Sequence, residues 1–475
     1  MLYDVIIIGG GVAGTAIARE LSRFRISTAL LEKEEELAFG VSKSNSGIIH
    51  PGTQNPPGSL KGQLCVWGNR LTREIAGELG VDFKEVGELI VAFNQGELAQ
   101  LQQIKKDAQA LGVPRLKIVN RAWLDKNEPN LSREAIAALY APTAGIISPY
   151  RLVYALAADA LANGVEIFTR AKVQNIRRKG DCFEVHTTRG IFDGQYIVNA
   201  AGLFADEVAA MAGAGNFTIT PRKGEEFLLD KKCRDLTNHL IFPLPSKASK
   251  GILVIKTSDG NPMIGPTACE AAGKDDLSTT DEGLANVLAA AKKLVPSIDG
   301  KDIIAYFAGL RPIAGDDFII RAEEGERKFI NVAGIQSPGL TAAPAIAIVV
   351  IETLNKNGLA FKRKSLFKQN CVEPGHLFSV PLAKTKEFIE KDPAYGDIVC
   401  RCELVSAKEI KDAVSAGAAT LDGIKFRTRA QAGRCHGSFC TTRIMKILAE
   451  STNKKLTEIT KRGKGSEIVK GDRGG

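Results

Sequence analysis

Short apolar runs and helical stripes alternate from the first residues of this chain. Val5 to Ile8 is a β-branched run of strand length, Val12 to Arg23 carries apolar positions at helical spacing, and Ser27 to Leu31 is a second strand-like run ending at Glu32. The pattern predicts a βαβ unit. Further on, Tyr196-Ile-Val-Asn-Ala-Ala-Gly202 reads as a strand ending in small residues, and Asn331 to Pro344 passes through glycines into a long apolar helix. Lys250 to Gly265 predicts a hairpin, two strand-like runs around Asp259-Gly260, where positive φ angles cost little. Such a hairpin points to an antiparallel, substrate-covering sheet. Strands and helices alternate to about residue 365, so the fold class is α/β. Residues 366 to about 397 contain Pro374, Gly375, Pro381, Pro393 and Gly396 and predict a connector. A cysteine-bearing module follows to about residue 460. In it Ser406-Ala-Lys-Glu409 is a capping box for a helix to about Ala416, and a second helical run follows Cys440.

Composition bounds these elements without changing them. With 475 residues, 44% of them hydrophobic, the chain is expected to hold two to four domains. No uncharged apolar run approaches the roughly 18 residues of a membrane span, and Pro344 to Ile351 is too short. The N-terminus has no signal-peptide pattern. The expected location is the cytoplasm, at the inner membrane face only if a partner holds it there. Nine cysteines on so long a chain fit reduced thiols and a metal centre better than a disulfide framework. Cys65, Cys182, Cys233, Cys269 and Cys371 are expected to be ordinary thiols.

Charge is unevenly placed. Cys400 to Thr460 carries eleven Lys/Arg against six Asp/Glu, and Lys461 to Gly475 five against two, so these residues hold +8 of the net +9. Basic residues around four thiolates would offset the negative charge of an iron–sulfur cluster. An acidic redox partner is a second use, and a solvated basic tail is the expectation from Lys461 onward. Nucleic-acid binding is not expected, because aromatics are not interleaved with the basic residues.

Gly9-Gly10-Gly11-Val12-Ala13-Gly14 lies between the predicted first strand and helix. Gly9, Gly11 and Gly14 permit a tight turn, close approach to a pyrophosphate and close helix–strand packing, and Glu32 is placed to accept hydrogen bonds from a ribose. The loop alone does not separate FAD from NAD. The segments at Tyr196 to Gly202 and Asn331 to Pro344 favour FAD. Gly339, Leu340 and Thr341 would aim backbone N–H groups at the flavin's pyrimidine edge. A plain glycine-turn entry into a core helix is the alternative.

Together with Ser42-Lys-Ser-Asn-Ser-Gly-Ile-Ile-His50, Pro57-Gly-Ser-Leu-Lys61, Gly309-Leu-Arg-Pro312 and Ser337-Pro-Gly-Leu-Thr341, these segments resemble the D-amino-acid-oxidase-like superfamily of FAD-dependent oxidoreductases over residues 1 to 365. With the cysteine module added, the chain is similar to catalytic subunits of the anaerobic glycerol-3-phosphate dehydrogenase family, with relatives among L-2-hydroxyglutarate oxidases and dehydrogenases. The resemblance implies a glutathione-reductase-type FAD-binding Rossmann domain (about 1–80, 145–215 and 325–365) and an antiparallel substrate domain (about 81–144 and 216–324). It places FAD against Ser42, Asn45, Ser46, Gly47, Val173, Ala201, Gly202 and Gly334 as well. One departure stands out: the glycerol-phosphate enzymes carry an Arg-Tyr shortly after the histidine at position 50, and here no arginine follows until Arg70.

Alcohol oxidation at a flavin moves a hydride from the carbinol carbon while a base accepts the hydroxyl proton, a role suited to an imidazole. His50 is the candidate, against a structural histidine. Arg311 is the candidate bidentate clamp for a carboxylate or phosphate, against an interface ion pair. Lys256 and Arg222 are weaker candidates, a solvated lysine being the default for Lys256. In the module, Cys400-x-Cys402 and Cys435-x4-Cys440 resemble the 2Fe-2S-binding domain of bacterioferritin-associated ferredoxin over about Asp397 to Glu450, with zinc as the alternative. A small helical 2Fe-2S domain (397–460), a connector (366–396) and a basic tail (461–475) complete the expected layout. The activity expected is oxidation of a small anionic 2-hydroxy compound, with glycerol 3-phosphate ahead of L-2-hydroxyglutarate. Electrons would leave through the cluster to a redox protein or membrane-associated subunit in a hetero-oligomer. An amine or amino-acid dehydrogenase and an electron-relay module are the rival readings.

Overall fold

The computed structural model describes residues 2–246, 250–368 and 376–471. It divides into two compact units, Met1–Leu31 with Ala38–Cys371, and Glu32–Leu37 with Val372–Gly475. Cys371, Pro374 and Gly375 of the sequence reading lie outside the described residues.

The larger unit is built on two sheets. In the first, strand Leu2–Ile8 pairs in parallel with Thr28–Leu31 on one side and Gly190–Asn199 on the other, and Glu326–Ala333 continues the parallel run. Both faces of the strand are covered from Val5 to Ile8, which is why that part is continuously apolar rather than alternating. Helix Val12–Leu21 follows the first strand, so the expected βαβ unit is present.

The second sheet is antiparallel except at one junction, where Leu240–Phe242 runs parallel to Glu88–Ala92. That parallel pair departs from the all-antiparallel expectation, and it aligns Leu240 with Glu88, so two ends of core strands emerge together. The expected hairpin forms between Leu253–Lys256 and Pro262–Gly265, with Gly260 at φ +87 in its turn. Long strands Thr220–Leu229 and Ile303–Ile313 pair from Thr220↔Ile313 onward and set Arg222 opposite Arg311. Leu89, Val91, Ile241, Val254 and Ile264 fill one side of this sheet, and Ile90, Phe242, Leu253 and Met263 the other.

Helix Gly339–Lys356 is long and apolar enough to cross a membrane by composition, beyond what the run Pro344 to Ile351 suggested, yet it is a core helix. Burial of Ile346, Val350 and Leu354 stabilises it by roughly 1.5–3 kcal/mol each. It crosses helix Leu60–Leu79 at Gly68, where a Cβ would meet the Thr341 carbonyl oxygen and come within 2.9 Å of the Ala342 Cα.

The smaller unit is helical. Ile398–Cys400 and Val405–Ser406 form a two-stranded hairpin that feeds helix Ala407–Ser415 through the expected capping box, in which Ser406 and Glu409 satisfy each other's backbone. Helices Leu421–Thr428 and Thr441–Thr452 complete a core of Ile410, Leu421, Ile424, Ile444 and Leu448. The segment read as a connector contains helix Leu382–Lys391, because Pro381 opens a helix as readily as it ends one.

Gly68→Ala is expected to force the two helices apart and destabilise the larger unit by roughly 1–3 kcal/mol, read as a lower melting temperature.

Candidate active site and cysteine centre

The glycine loop has the shape its sequence requires. Gly9 sits at φ +113 with the Ala200 carbonyl where a Cβ would be, and a Cβ on Gly14 would meet the Gly9 carbonyl oxygen. Helix Val12–Leu21 starts without a side-chain cap at Gly11, and the Ser42 hydroxyl takes the Val12 N–H at 3.0 Å. Glu32, just past strand Thr28–Leu31, is 8% exposed. Asn45 knots the next loop by donating to the Ser42 carbonyl (2.6 Å) and accepting from the Gly47 N–H (2.8 Å), with Gly47 at φ +71 and Ser46 half-buried between them. Val173 opens a strand opposite Thr187, and Ala201 and Gly202, the latter at φ +58, follow strand Gly190–Asn199. Gly334 (φ +66) turns the chain toward Gly339, and helix Gly339–Lys356 leaves the N–H groups of Leu340 and Thr341 without helical acceptors. Two helix starts and glycines that admit no side chain fit a dinucleotide with an anionic, hydrogen-bonding flavin.

The Thr341 hydroxyl does something the sequence did not suggest. It accepts the His50 N–H at 2.9 Å and lies 3.4 Å from the Ile48 carbonyl, so it ties the helix start to the strand Ile48–Ile49. Asn69 donates to the His50 carbonyl at 3.0 Å, and the Cys65 thiol lies 3.5 Å from it. The His50 ring stands edge-on to Phe242, with centroids 6.2 Å apart. Its Nε2 is 3.4 Å from the Ser337 Oγ, which in turn is 3.4 Å from the Lys250 Nζ. Burial, then the Lys250 charge, lowers the imidazole to about 4 against an opposing pull from Glu88, so His50 is a neutral base at physiological pH. Burial pushes the Cys65 thiol up to about 12, which makes it the inert thiol expected.

Arg311 donates from both Nη atoms to the Thr267 carbonyl (3.3 and 3.2 Å) and has no carboxylate within 4.0 Å among the described residues. Burial lowers its pKa, as it does that of Lys250, whose ammonium also feels Arg311. Two cations without carboxylate partners near a neutral base form an anion site. Glu226, 4% exposed, is pushed up to about 7 by burial, with Arg311 opposing. The lysine that joins His50 is therefore Lys250. Lys256 stands opposite Pro262 and makes no hydrogen bond or ion pair among the described residues, and Arg222 is exposed. Lys250, Ser337, Glu88 and Glu226 were not singled out as site residues from the sequence. The one findable signal was Glu88, a charge opening the otherwise apolar strand Glu88–Ala92.

In the smaller unit the cysteines pair. The Cys402 and Cys435 sulfurs are 3.4 Å apart, near the roughly 3.8 Å expected for two thiolates on one tetrahedral ion. Cys400 and Cys440, both buried, share a hydrogen bond that lowers Cys400 to about 6 and raises Cys440. Backbone N–H groups of Gln431 and Glu403 point at the Cys400 sulfur, and that of Cys435 at Cys402. Gln431 takes a left-handed φ of +72, which helps its N–H reach both Cys400 and Cys440. Among the described residues no three such ligands converge on one point. Two pairs with N–H donors to sulfur suit a two-iron cluster rather than a single zinc ion.

The FAD dependent oxidoreductase family matches residues 4–353, and the BFD-like [2Fe-2S] binding domain matches residues 398–450. The chain belongs to the FAD-dependent oxidoreductase family. Its cofactors are FAD and, in the C-terminal domain, a [2Fe-2S] cluster. A glycerol 3-phosphate dehydrogenase of Caloramator mitchellensis is 40% identical over 473 residues, 99% of this chain and 98% of that protein. The FAD-bound L-alpha-glycerophosphate oxidase of Mycoplasma pneumoniae shares the fold with a TM-score of 0.74 at 32% identity, covering 78% of this chain and 98% of that one. An L-2-hydroxyglutarate dehydrogenase of Escherichia coli (strain K12) is 30% identical over 60% of this chain and 69% of that protein.

Cys402→Ser is expected to reduce bound iron and acid-labile sulfide to background while FAD content is retained, as measured by metal analysis and absorbance. Between about pH 8 and about pH 5 flavin reduction should show no loss from His50, which binds a proton only near 4 in the folded protein, and an inflection near 7 would report Glu226 beside Arg311. The unfolded imidazole protonates near 6.5, so this residue's contribution to stability declines as pH falls from there to about 4.

Proposed function

We propose that this protein oxidises glycerol 3-phosphate at its secondary alcohol and passes the electrons, one at a time, to an external acceptor. The observation that carries the reading is the relative that aligns with both units, cysteine module included, and bears that activity in its name. The hydroxyglutarate dehydrogenase aligns with a smaller share of the chain. The missing arginine after His50 does not leave the phosphate without a cation, because Lys250 and Arg311 are both available as its partners.

The residues divide the work. Arg311, with no carboxylate in ion-pair distance among the described residues, grips the phosphate with its planar fork, and Lys250 adds a second charge. Held at that end, the substrate presents its middle carbon, and the neutral His50 takes the hydroxyl proton at Nε2. When bound, FAD supplies the hydride acceptor and the [2Fe-2S] cluster a one-electron carrier. Removal of the proton and a hydride leaves the ketone. Two electrons then leave singly. Cys402 is exposed, and beside it in sequence Leu404 stands 44% exposed at φ +55, with Phe439 84% exposed next to Cys440. Apolar side chains flanking a redox centre, with Arg401 and Arg434 exposed nearby, suit an acidic redox protein or membrane-associated subunit as acceptor. Reduced thiols at the centre favour the cytoplasm, at the membrane face where the acceptor is membrane-bound.

Under anaerobic conditions glycerol 3-phosphate is expected to bleach the flavin and L-2-hydroxyglutarate to leave it oxidised; faster reduction by the second compound would overturn the substrate assignment. Arg311→Ala should weaken the apparent affinity for glycerol 3-phosphate by roughly 10- to 100-fold, measured as the substrate dependence of flavin reduction.

A further inference from the structure

We propose that Glu88 is a positioning residue for the oxidation: its carboxylate faces His50 Nδ1 and keeps that nitrogen protonated, which leaves Nε2 as the base. This rests on His50 being the proton acceptor, as argued above. Glu88 opens a strand whose five residues are all buried, and is itself 0% exposed. A carboxylate in such a place is costly unless it has partners. One oxygen has one: Thr53 Oγ1 donates to Oε1 at 2.5 Å. The other, Oε2, is buried without a hydrogen-bond partner and stands 3.9 Å from His50 Nδ1. Among the described residues it is the carboxylate oxygen facing Nδ1.

The opposite side of the imidazole agrees. The Lys250 ammonium donates toward Ser337 Oγ, so the serine proton is free to point at His50 Nε2, an arrangement that accommodates an unprotonated Nε2. An ionised carboxylate only accepts, and it therefore selects the N–H tautomer at the nitrogen it faces. The His50 backbone is held by Thr341 and Asn69, so only ring rotation remains for Glu88 to fix. The other charged group acting on the ring is Lys250, which opposes its protonation, while the Cys65 thiol lies 3.5 Å from the His50 backbone carbonyl. As the ring takes the substrate proton, a cation forms beside Glu88, and the 3.9 Å separation is one that closes into an ionic hydrogen bond.

Glu88→Gln makes the sharpest test, because Thr53 would claim the amide oxygen and turn the NH2 group toward Nδ1. That arrangement selects the wrong tautomer. The experiment is 15N NMR of histidine-labelled holoenzyme, with the His50 signals assigned from His50→Gln, together with anaerobic flavin reduction. Wild type is expected to show a pyrrole-type Nδ1 and a pyridine-type Nε2. Glu88→Gln should invert them and slow flavin reduction by roughly 10²-fold. Glu88→Asp should restore the wild-type tautomer and part of the rate. A wild-type His50 protonated at Nε2 overturns the proposal even if the variant does not fold. So does a folded Glu88→Gln with a lower melting temperature and an unchanged tautomer. Failure of glycerol 3-phosphate to reduce the wild-type flavin would count against the substrate assignment alone, since the NMR result needs no substrate.

Discussion

Thr341 is the point at which the flavin side and the substrate side of the larger unit are joined. Its hydroxyl accepts the His50 N–H, its carbonyl accepts the Thr72 hydroxyl at 3.3 Å, and Gly68 brings helix Leu60–Leu79 against the same carbonyl. The residue is fully buried, so these bonds have no water to compete with them. Because helix Gly339–Lys356 begins two residues earlier, the N–H groups suited to a flavin and the backbone of the base are fixed by one turn of chain. Loosening that turn would shift both partners of a hydride transfer, for which roughly 1 Å matters.

Electrostatics in the substrate pocket follows from what is left unpaired. Among the described residues Lys250 and Arg311 have no carboxylate within ion-pair distance, and burial disfavours their charge against the weaker pull of Glu88 and Glu226. On the proposed function, an anionic substrate would restore the balance and link stability to substrate binding. Burial first, and the Lys250 charge second, keep His50 neutral. Glu88 works against that charge from the other side of the ring, and the imidazole is poised between the two.

The nucleotide half of this chain was legible in its sequence because backbone conformation carries the function there. Gly9, Gly14 and Gly47 hold positions that admit no side chain, and a requirement of that kind leaves a spaced pattern of glycines. The substrate half hid more. His50, Glu88, Glu226, Lys250, Arg311 and Ser337 come from separate strands and loops, and only sheet register brings them together. Lys256 was the lysine picked from the hairpin sequence, yet it is Lys250, outside the strand, that joins Ser337. The proline-containing segment after residue 366 read as a connector, while helix Leu382–Lys391 forms within it and buries Thr385. The cysteine spacing, by contrast, pointed to the [2Fe-2S] domain, because a Cys-x-Cys and a Cys-x4-Cys pair depart from the usual zinc spacing, and the fold brings Cys402 beside Cys435.

Two electrons enter at an alcohol and leave singly through a cluster: that is the central claim. It is tested most directly by mixing the oxidised holoenzyme anaerobically with glycerol 3-phosphate and following flavin absorbance by stopped flow, with the cluster read by freeze-quench EPR. The account predicts flavin bleaching first, then a reduced-cluster signal that grows no more slowly than turnover with an artificial acceptor. A flavin that is fully reduced while the cluster stays oxidised over many turnovers would contradict it.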